Sequence, residues 1–195
     1  SIGLIGAGLA AYFRGSYHSP LAHYAAYVPT PGLIILLLCG ATLLAILGGY
    51  ARYRSDAEHT GDYLALILFS LCGAILMAQP NDLMLFFIGL EILSIPIYVL
   101  VGIEKGSSRS AEAAVKYFFT GSFASAILLF GIALLYGATG SFQLIEIQSN
   151  LAIGIWQSPM AMIGSLFLLA GFAFKIGAVP FHFWGPDVYQ GASNV

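Results

Sequence analysis

The chain has 195 residues, of which 59% are hydrophobic and only 8% are charged, and its formal net charge is −2. A typical soluble domain has roughly 25% charged residues, so this composition excludes a soluble monomer, and the hydrophobic content excludes a disordered chain. A slightly acidic chain without a basic patch is also not a nucleic-acid-binding protein. A polytopic membrane protein remains.

Long stretches without a charged side chain predict where the chain crosses the membrane. A helix needs roughly 20 apolar residues to span a bilayer, and stretches of this kind recur along the chain. Residues 1–13 are apolar but too short to cross, and we expect them to be the end of a helix whose beginning is missing. Complete spans are predicted at residues 31–52, 62–79, 82–103, 111–136 and 159–184. The sequence therefore predicts an all-α, polytopic transmembrane helix bundle that forms one domain over residues 1–195.

The segment between the last two spans, residues 141–157, has a mixed pattern. Leu144, Ile147 and Trp156 can share one face of a helix, while neighbouring polar side chains lie off that face. An amphipathic helix at the membrane interface has this pattern. An ordinary loop outside the membrane fits it equally well.

The positively charged loop residues predict the orientation of the chain. Arg52, Arg54, Lys105 and Arg109 fall on one side of the membrane, and only Arg14 falls on the other. Cytoplasmic loops carry an excess of Lys and Arg. We therefore expect the side with four cations to be cytoplasmic.

Three charged side chains, Glu91, Lys116 and Lys175, lie inside predicted spans and more than one turn from the span ends. A charge at the centre of a bilayer helix costs roughly 2.5–3.5 kcal/mol on insertion scales, and such residues usually mark proton or ion paths. Two alternatives stay open. Lys116 lies nearer a helix end and can extend to the interface, and Glu91 with Lys175 can form a buried structural ion pair.

Two prolines suggest that the helices are weakened beside these charges. Pro96 follows Glu91 at the same spacing at which Pro180 follows Lys175. Proline cannot donate a backbone hydrogen bond, and Gly177 loosens the second of these turns further. We therefore expect a broken helix near Lys175, of the kind that is buried in protein or lines a wet cavity. An ordinary proline kink is the alternative.

Polar neighbours extend this predicted path. Tyr98 shares the helical face of Glu91. His182 comes two helical turns after Lys175, about 10 Å along an intact helix, and is a candidate relay; an interfacial histidine beside Trp184 is the alternative. The sequence has no Cys/His cluster for iron–sulfur or haem and no phosphate-binding loop, so we expect no cofactor in this chain.

Three motifs resemble a known family. They are DLMLFFIGLEILSIPIY from Asp82, AEAAVKYF from Ala111 and GFAFKIGAVPFHFWGPDVYQGA from Gly171. Together they resemble the antiporter-like proton-translocating subunits of respiratory complex I, NADH:quinone oxidoreductase. The run PDVYQGA resembles the bacterial subunit N (subunit 2) type rather than the L and M types or the Mrp antiporters. The resemblance covers nearly all of the chain from Pro31 onward.

The resemblance implies an architecture and a function. The family fold has two inverted five-helix bundles, each with a broken helix, and this chain would be an N-terminal fragment that covers most of the first bundle. Glu91, Lys116 and Lys175 would move protons, coupled to quinone reduction elsewhere in the complex. NAD, FMN, iron–sulfur clusters and quinone would be bound by partner subunits. The partners would be other membrane subunits, including further antiporter-like ones, in the bacterial inner membrane.

The sequence departs from the family pattern at one place, and two other functions fit the same charged residues. The family usually continues after the last motif with prolines, where this chain has Ser-Asn-Val at residues 193–195. The same charged residues fit a membrane subunit of a related hydrogenase or Mrp-type cation/proton antiporter, with a different driving reaction. They also fit a structural membrane scaffold, in which the charges only dock helices.

Overall fold

The computed structural model describes residues 31–49, 60–78, 81–104, 106–152 and 158–192. The chain is helical throughout most of these residues, in agreement with the predicted all-α fold. The helices are α1 (Pro31–Gly48), α2 (Thr60–Met77), α3 (Leu83–Val101), α4 (Ser108–Thr139), α5 (Leu144–Ala152), α6 (Pro159–Lys175) and α7 (Trp184–Gly191).

Three of these helices, α2, α3 and α4, are long and apolar enough to cross a membrane. Shorter apolar helices are α6 and residues Gly32–Gly48 of α1. The last predicted span continued to Trp184, whereas α6 ends at Lys175. The segment predicted as a partial helix, residues 1–13, lies outside the described residues, as do most of the loop cations: Arg14, Arg52, Arg54 and Lys105.

The described residues fall into two compact units, and the first contains α1, α2 and residues 88–97 of α3. Ile35, Cys39 and Leu71 form a buried cluster between α1 and α2. Helices α2 and α3 approach closely at Gly73, where a Cβ atom would overlap the backbone of α3 around Gly89. Close backbone approach through small residues is the usual way in which membrane helices associate.

The second unit contains residues 81–87, the C-terminal end of α3 and the helices from α4 to α7. Helices α4 and α6 cross at two glycines: a Cβ on Gly131 would lie 2.9 Å from the carbonyl oxygen of Gly164. Two turns further along α6, a Cβ on Gly171 would lie 2.8 Å from that of Leu128, which is fully buried. This contact fixes the C-terminal half of α6, and therefore Lys175, against α4.

The short helix α5 lies within residues 141–157, where the sequence fits both an interfacial helix and a loop. Backbone hydrogen bonds of 2.9 Å, from Leu83 to Phe142 and from Leu144 to Asn81, tie the start of α5 to the start of α3. Ile147 faces inward and is buried, while the polar side chains on either side of it are exposed. The segment is therefore helical over Leu144–Ala152 and amphipathic, and residues 153–157 lie outside the described part.

Helix α3 shows that a proline inside an apolar helix does not have to break it. Asp82 caps its N-terminus, since its carboxylate accepts hydrogen bonds from the N–H groups of Met84 and Leu85 at 2.8 and 2.9 Å. The helix then continues through Pro96 to Val101. The weakness expected beside Glu91 is therefore limited to the one missing backbone donor.

Candidate functional site

Helix α6 ends at Lys175 in a turn that glycine makes possible. Gly177 has a φ of 66°, a left-handed conformation that other residues adopt at a cost. The N–H groups of Gly177 and Ala178 donate to the carbonyl oxygens of Phe174 and Ala173 at 3.0 and 2.8 Å. This pair of bonds is a Schellman motif, which satisfies the last carbonyls of a helix. The break expected near Lys175 is therefore present.

The sequence suggested two causes of the break, Pro180 and Gly177, and in the structure only Gly177 acts. The expectation that Pro180 weakens the helix is wrong, because α6 has already ended at Lys175 and Gly177 ends it. The 10 Å rise to His182 along an intact helix is wrong for the same reason. His182 lies in the turn before α7, where its side chain is exposed and its carbonyl accepts a hydrogen bond from Gly185. Its role as a relay stays a prediction.

The ammonium group of Lys175 meets a tyrosine hydroxyl from α3. Lys175 Nζ donates a hydrogen bond of 3.2 Å to the hydroxyl oxygen of Tyr98 and lies 5.8 Å from the centre of that ring. The ammonium therefore approaches the hydroxyl end of the ring rather than its face. Lys175 is also the last residue of α6, where the partial negative charge of the helix C-terminus favours a cation.

Tyr98 is held in place by α4. Its side chain is 5% exposed, and its ring makes edge contacts with Tyr117 and Phe118, with centroids 4.6 and 5.9 Å away. Gly121 leaves room for the hydroxyl group, because a Cβ atom there would overlap it. Gly121 therefore determines where the Tyr98 hydroxyl can lie.

Trp184 covers the end of α6 from the other side. Its ring stacks on Tyr117 at 4.9 Å, with the planes 11° apart. Its indole N–H donates a 3.2 Å hydrogen bond to the carbonyl oxygen of Phe174, the residue before Lys175. Tyr98, Tyr117 and Trp184 therefore form an aromatic layer that joins α3, α4 and α7 around the end of α6.

Lys116 has different partners from Lys175. It lies in the first turns of α4 and is about half exposed, with a side-chain exposure of 48%. Its ammonium group is 2.9 Å from Glu112, on the same helix, and 2.9 Å from Asp187, on α7. This position and exposure agree with a lysine that extends toward an interface. Its place in a proton path stays a prediction.

Asp187 is a charged residue of the site that sequence reasoning missed. It lies in the run PDVYQGA, which was used for family resemblance only. A second polar contact lies beside it, since the Arg109 guanidinium donates a 2.9 Å hydrogen bond to the side-chain oxygen of Gln190. The backbones of α4 and α7 also come close, because a Cβ on Gly191 would overlap that of Ala113. The first turns of α4 therefore bind α7 through charge, hydrogen bonding and close packing.

Glu91 lies on α3 in the first unit, where it is partly buried, whereas Lys116 and Lys175 belong to the second unit. The expected pairing of Glu91 with a lysine stays a prediction. Among the residues that the structure describes, no group of three or more His, Cys, Asp or Glu side chains is arranged to hold a metal ion.

The sequence of this chain matches a known protein family. A family model described as "NADH:quinone oxidoreductase/Mrp antiporter, TM" matches residues 80–195. NADH-quinone oxidoreductase subunit N of Cytophaga hutchinsonii is 42% identical over 178 residues, which cover 90% of this chain and 38% of the relative. The same subunit of Trichlorobacter lovleyi is 39% identical over 196 residues, which cover 98% of this chain and 40% of the relative.

Two solved structures have a similar fold. Respiratory complex I of Thermus thermophilus with bound aureothin matches with a TM-score of 0.71 and 31% identity, over 98% of this chain and 40% of that chain. An archaeal membrane-bound sulfane sulfur reductase matches with a TM-score of 0.78 and 26% identity, over 98% of this chain and 41% of that chain. This chain spans about two fifths of the length of these relatives.

Proposed function

The chain belongs to the NADH:quinone oxidoreductase/Mrp antiporter transmembrane family, and from this premise we propose that it is part of a proton-translocating membrane subunit of NADH:quinone oxidoreductase. The subunit moves H⁺ through Glu and Lys residues of its apolar helices, and quinone reduction elsewhere in the complex drives the movement. The relatives named subunit N support this assignment at about 40% identity.

One observation carries the proposal, namely the position of Lys175 at the end of a helix within an apolar bundle. A lysine with a tyrosine hydroxyl at 3.2 Å has a partner that does not require the lysine to stay charged. Lys175 is partly buried, and burial makes a lysine change its protonation state more readily. A helix that ends at membrane depth is tolerated where it lines a cavity or is surrounded by protein. These features suit a proton carrier better than a permanent structural charge.

We assign the roles accordingly. Lys175 carries the proton, and Glu91 tunes it, because an ionised carboxylate that interacts with a lysine favours the charged form of that lysine. Lys116 is a second station toward the membrane surface, with Asp187 and Glu112 as its partners. His182 is a relay in the turn beyond Lys175.

In the proposed assembly, partner subunits bind the cofactors. The partners are other membrane subunits of the complex, including further antiporter-like subunits, in a bacterial inner membrane. NAD, FMN, the iron–sulfur clusters and quinone are bound by partner subunits. The loops that contain Arg52, Arg54, Lys105 and Arg109 face the cytoplasm, since cytoplasmic loops carry the excess of cations.

A related membrane complex with another driving reaction is the second candidate. The similarity to the archaeal sulfane sulfur reductase, with its TM-score of 0.78, favours it, because this fold serves in that complex too. A hydrogenase or Mrp-type antiporter subunit belongs to the same class. The names of the sequence relatives favour the quinone oxidoreductase.

Isolation of the native assembly tests the proposal. The full-length subunit, tagged in its own organism, is purified from membranes and reconstituted into vesicles, and NADH-driven quinone reduction and proton uptake are measured together. We expect the tag to bring down NADH-oxidising subunits, and we expect Lys175→Ala to abolish proton uptake in an assembled complex. Isolation with antiporter subunits alone, without NADH:quinone activity, would favour the second candidate. Normal pumping by the assembled Lys175→Ala complex would show that Lys175 is not the carrier.

A further inference from the structure

We propose that Tyr98 is a positioning residue that keeps a hydrogen bond to Lys175 in both protonation states of the lysine. This inference rests on the proposed function, in which Lys175 gains and loses a proton. The observation behind it is the 3.2 Å contact between Lys175 Nζ and the Tyr98 hydroxyl oxygen, within one compact unit of the chain.

The chemistry of a tyrosine hydroxyl suits a partner that changes its charge. A hydroxyl has one donor and two acceptor positions, so its oxygen accepts a hydrogen bond from the charged ammonium. When Lys175 has lost a proton, the same hydroxyl rotates about its C–O bond and donates to the amine lone pair. The departing proton leaves from an N–H bond that points away from Tyr98, and rotation about the Cε–Nζ bond then turns the new lone pair toward the hydroxyl. Tyr98 itself neither gains nor loses a proton.

A carboxylate in this position would act differently. An ionised carboxylate is an acceptor only, so it stabilises the ammonium and loses its hydrogen bond to the neutral amine. Tyr98 holds the Lys175 nitrogen in one place during the whole cycle. It favours the charged lysine over the neutral lysine less strongly than a carboxylate would. Positioning of this kind is effective only if the tyrosine itself is rigid.

Three features make the Tyr98 hydroxyl rigid. The side chain is 5% exposed, and its ring is held by edge contacts with Tyr117 and Phe118. The hydroxyl lies over Gly121, where any larger residue would displace it. Gly121 is in turn fixed within α4, since its carbonyl accepts a 3.0 Å hydrogen bond from the buried Ser125 hydroxyl.

Two variants remove this hydrogen bond by independent routes. Tyr98→Phe deletes the hydroxyl and keeps the ring, whereas Gly121→Ala keeps the hydroxyl and displaces it. Each is made in the full-length subunit, in the assembled complex reconstituted in vesicles. We expect each to lower the rate of NADH-driven proton uptake about five- to tenfold, which corresponds to the loss of one hydrogen bond. Because both act on one contact, we expect the double variant to be little worse than either single variant.

An infrared measurement separates this role from a merely structural one. With ring-labelled tyrosine, the difference spectrum between resting and turning-over complex should contain a tyrosine C–O band that Tyr98→Phe removes. Tyr136→Phe is the matched control, since it also deletes one hydroxyl from this unit, from a ring that stacks on Phe142 at 4.2 Å. That control should keep both the band and the wild-type rate of proton uptake.

The outcomes distinguish the inference from the proposed function. If Lys175→Ala abolishes proton uptake while Tyr98→Phe pumps at the wild-type rate and keeps the band, the inference is wrong and the proposed function stands. If Lys175→Ala pumps normally, Lys175 is not the proton carrier, and this inference fails together with that part of the proposed function. If Tyr98→Phe prevents assembly, the Gly121→Ala complex decides by the same two measurements. Strictly additive defects in the double variant would also count against a shared contact.

Discussion

Lys116 and Asp187 are 71 positions apart in the sequence, and their side chains form an ion pair of 2.9 Å between α4 and α7. Exposed ion pairs contribute little to stability in water, so the pair is better explained by what it orients. Asp187 lies on the helix that begins with Trp184, the residue that covers the end of α6. The ion pair therefore connects the first turns of α4 to the surroundings of Lys175.

The first prediction concerns this ion pair. Asp187→Asn should leave the complex assembled and reduce NADH-driven proton uptake several-fold, because α7 loses its charged contact with α4 and Trp184 is less well held. Glu112→Gln is the control, since it removes the other carboxylate from Lys116 and leaves the contact between helices intact. Exchange of the two charges, Lys116→Asp with Asp187→Lys, should restore the contact and the fluorescence spectrum of Trp184. A Trp184 spectrum that Asp187→Asn leaves unchanged would contradict the argument.

The second prediction concerns the glycine that ends α6. At a φ of 66°, any residue with a Cβ atom is strained, and Gly177→Ala should destabilise the subunit by about 1 kcal/mol. Space is not the reason, because the new Cβ would lie 3.8 Å from Trp184, an ordinary contact. Gly177→Asn should cost less than Gly177→Val, since asparagine tolerates this conformation.

Thermal unfolding of the purified complex in detergent measures this effect. Gly185→Ala is the matched control, because Gly185 lies in helix α7 with ordinary backbone angles and with open space around it. Alanine favours a helix over glycine, so this control should be neutral or slightly stabilising. Equal unfolding midpoints for Gly177→Ala and Gly185→Ala would show that the backbone conformation at Gly177 is not required.

The positions of the helices were predictable because one strong physical rule decides them. A charged side chain is costly in a bilayer, so charge-free stretches locate the spans, and α1 to α4 and α6 begin within a few residues of the predicted starts. The end of α6 was less predictable, because two breakers lie close together. Gly177 comes first along the chain and ends the helix with its left-handed backbone, so Pro180 has no helical bond left to remove.

The contacts of the site could not be read from the sequence in the same way. Glu91, Lys116 and Lys175 stand out individually, because each is a charge among apolar residues. Their partners depend on the packing of helices that are far apart in the chain. Tyr98 was placed on the face of Glu91 by helical periodicity, but its contact with Lys175 depends on the space above Gly121. Asp187 could not be predicted as a site residue, because a single carboxylate in a polar turn is common in any sequence.

The third prediction is a graded series at Glu91. If this carboxylate tunes a lysine, Glu91→Gln removes the charge and should reduce proton uptake strongly. Glu91→Asp keeps the charge on a shorter side chain and should retain part of the activity. Glu146→Gln is the control, since Glu146 is an exposed carboxylate on α5, outside the proposed path. The measurement is proton uptake per quinone reduced in the assembled complex. Equal activity of the Asp and Gln variants would show that the charge of Glu91 is not what matters.

The fourth prediction separates a proton carrier from a structural cation at Lys175. Arginine keeps the positive charge but cannot be deprotonated in proteins. If Lys175 must release a proton in each cycle, Lys175→Arg should be as inactive in proton uptake as Lys175→Ala. If Lys175 serves only as a fixed charge at the end of α6, arginine should restore most of the activity, because it still complements the helix C-terminus and can still donate to the Tyr98 hydroxyl.

This comparison is valid only if the complex assembles. We expect Lys175→Arg to disturb assembly less than Lys175→Ala does. Lys175→Arg retains a cation and a hydrogen-bond donor at the position that α3, α4 and α7 surround, so the complex should form in normal amounts. Arg109→Lys is the matched control, since it exchanges the same two residue types at the 2.9 Å contact with Gln190, where lysine can still donate to the side-chain oxygen and no proton has to be released. That control should pump at the wild-type ratio of protons to quinone. Wild-type pumping by an assembled Lys175→Arg complex would mean that the proton travels by another route, and that the contact between Lys175 and Tyr98 holds helices together.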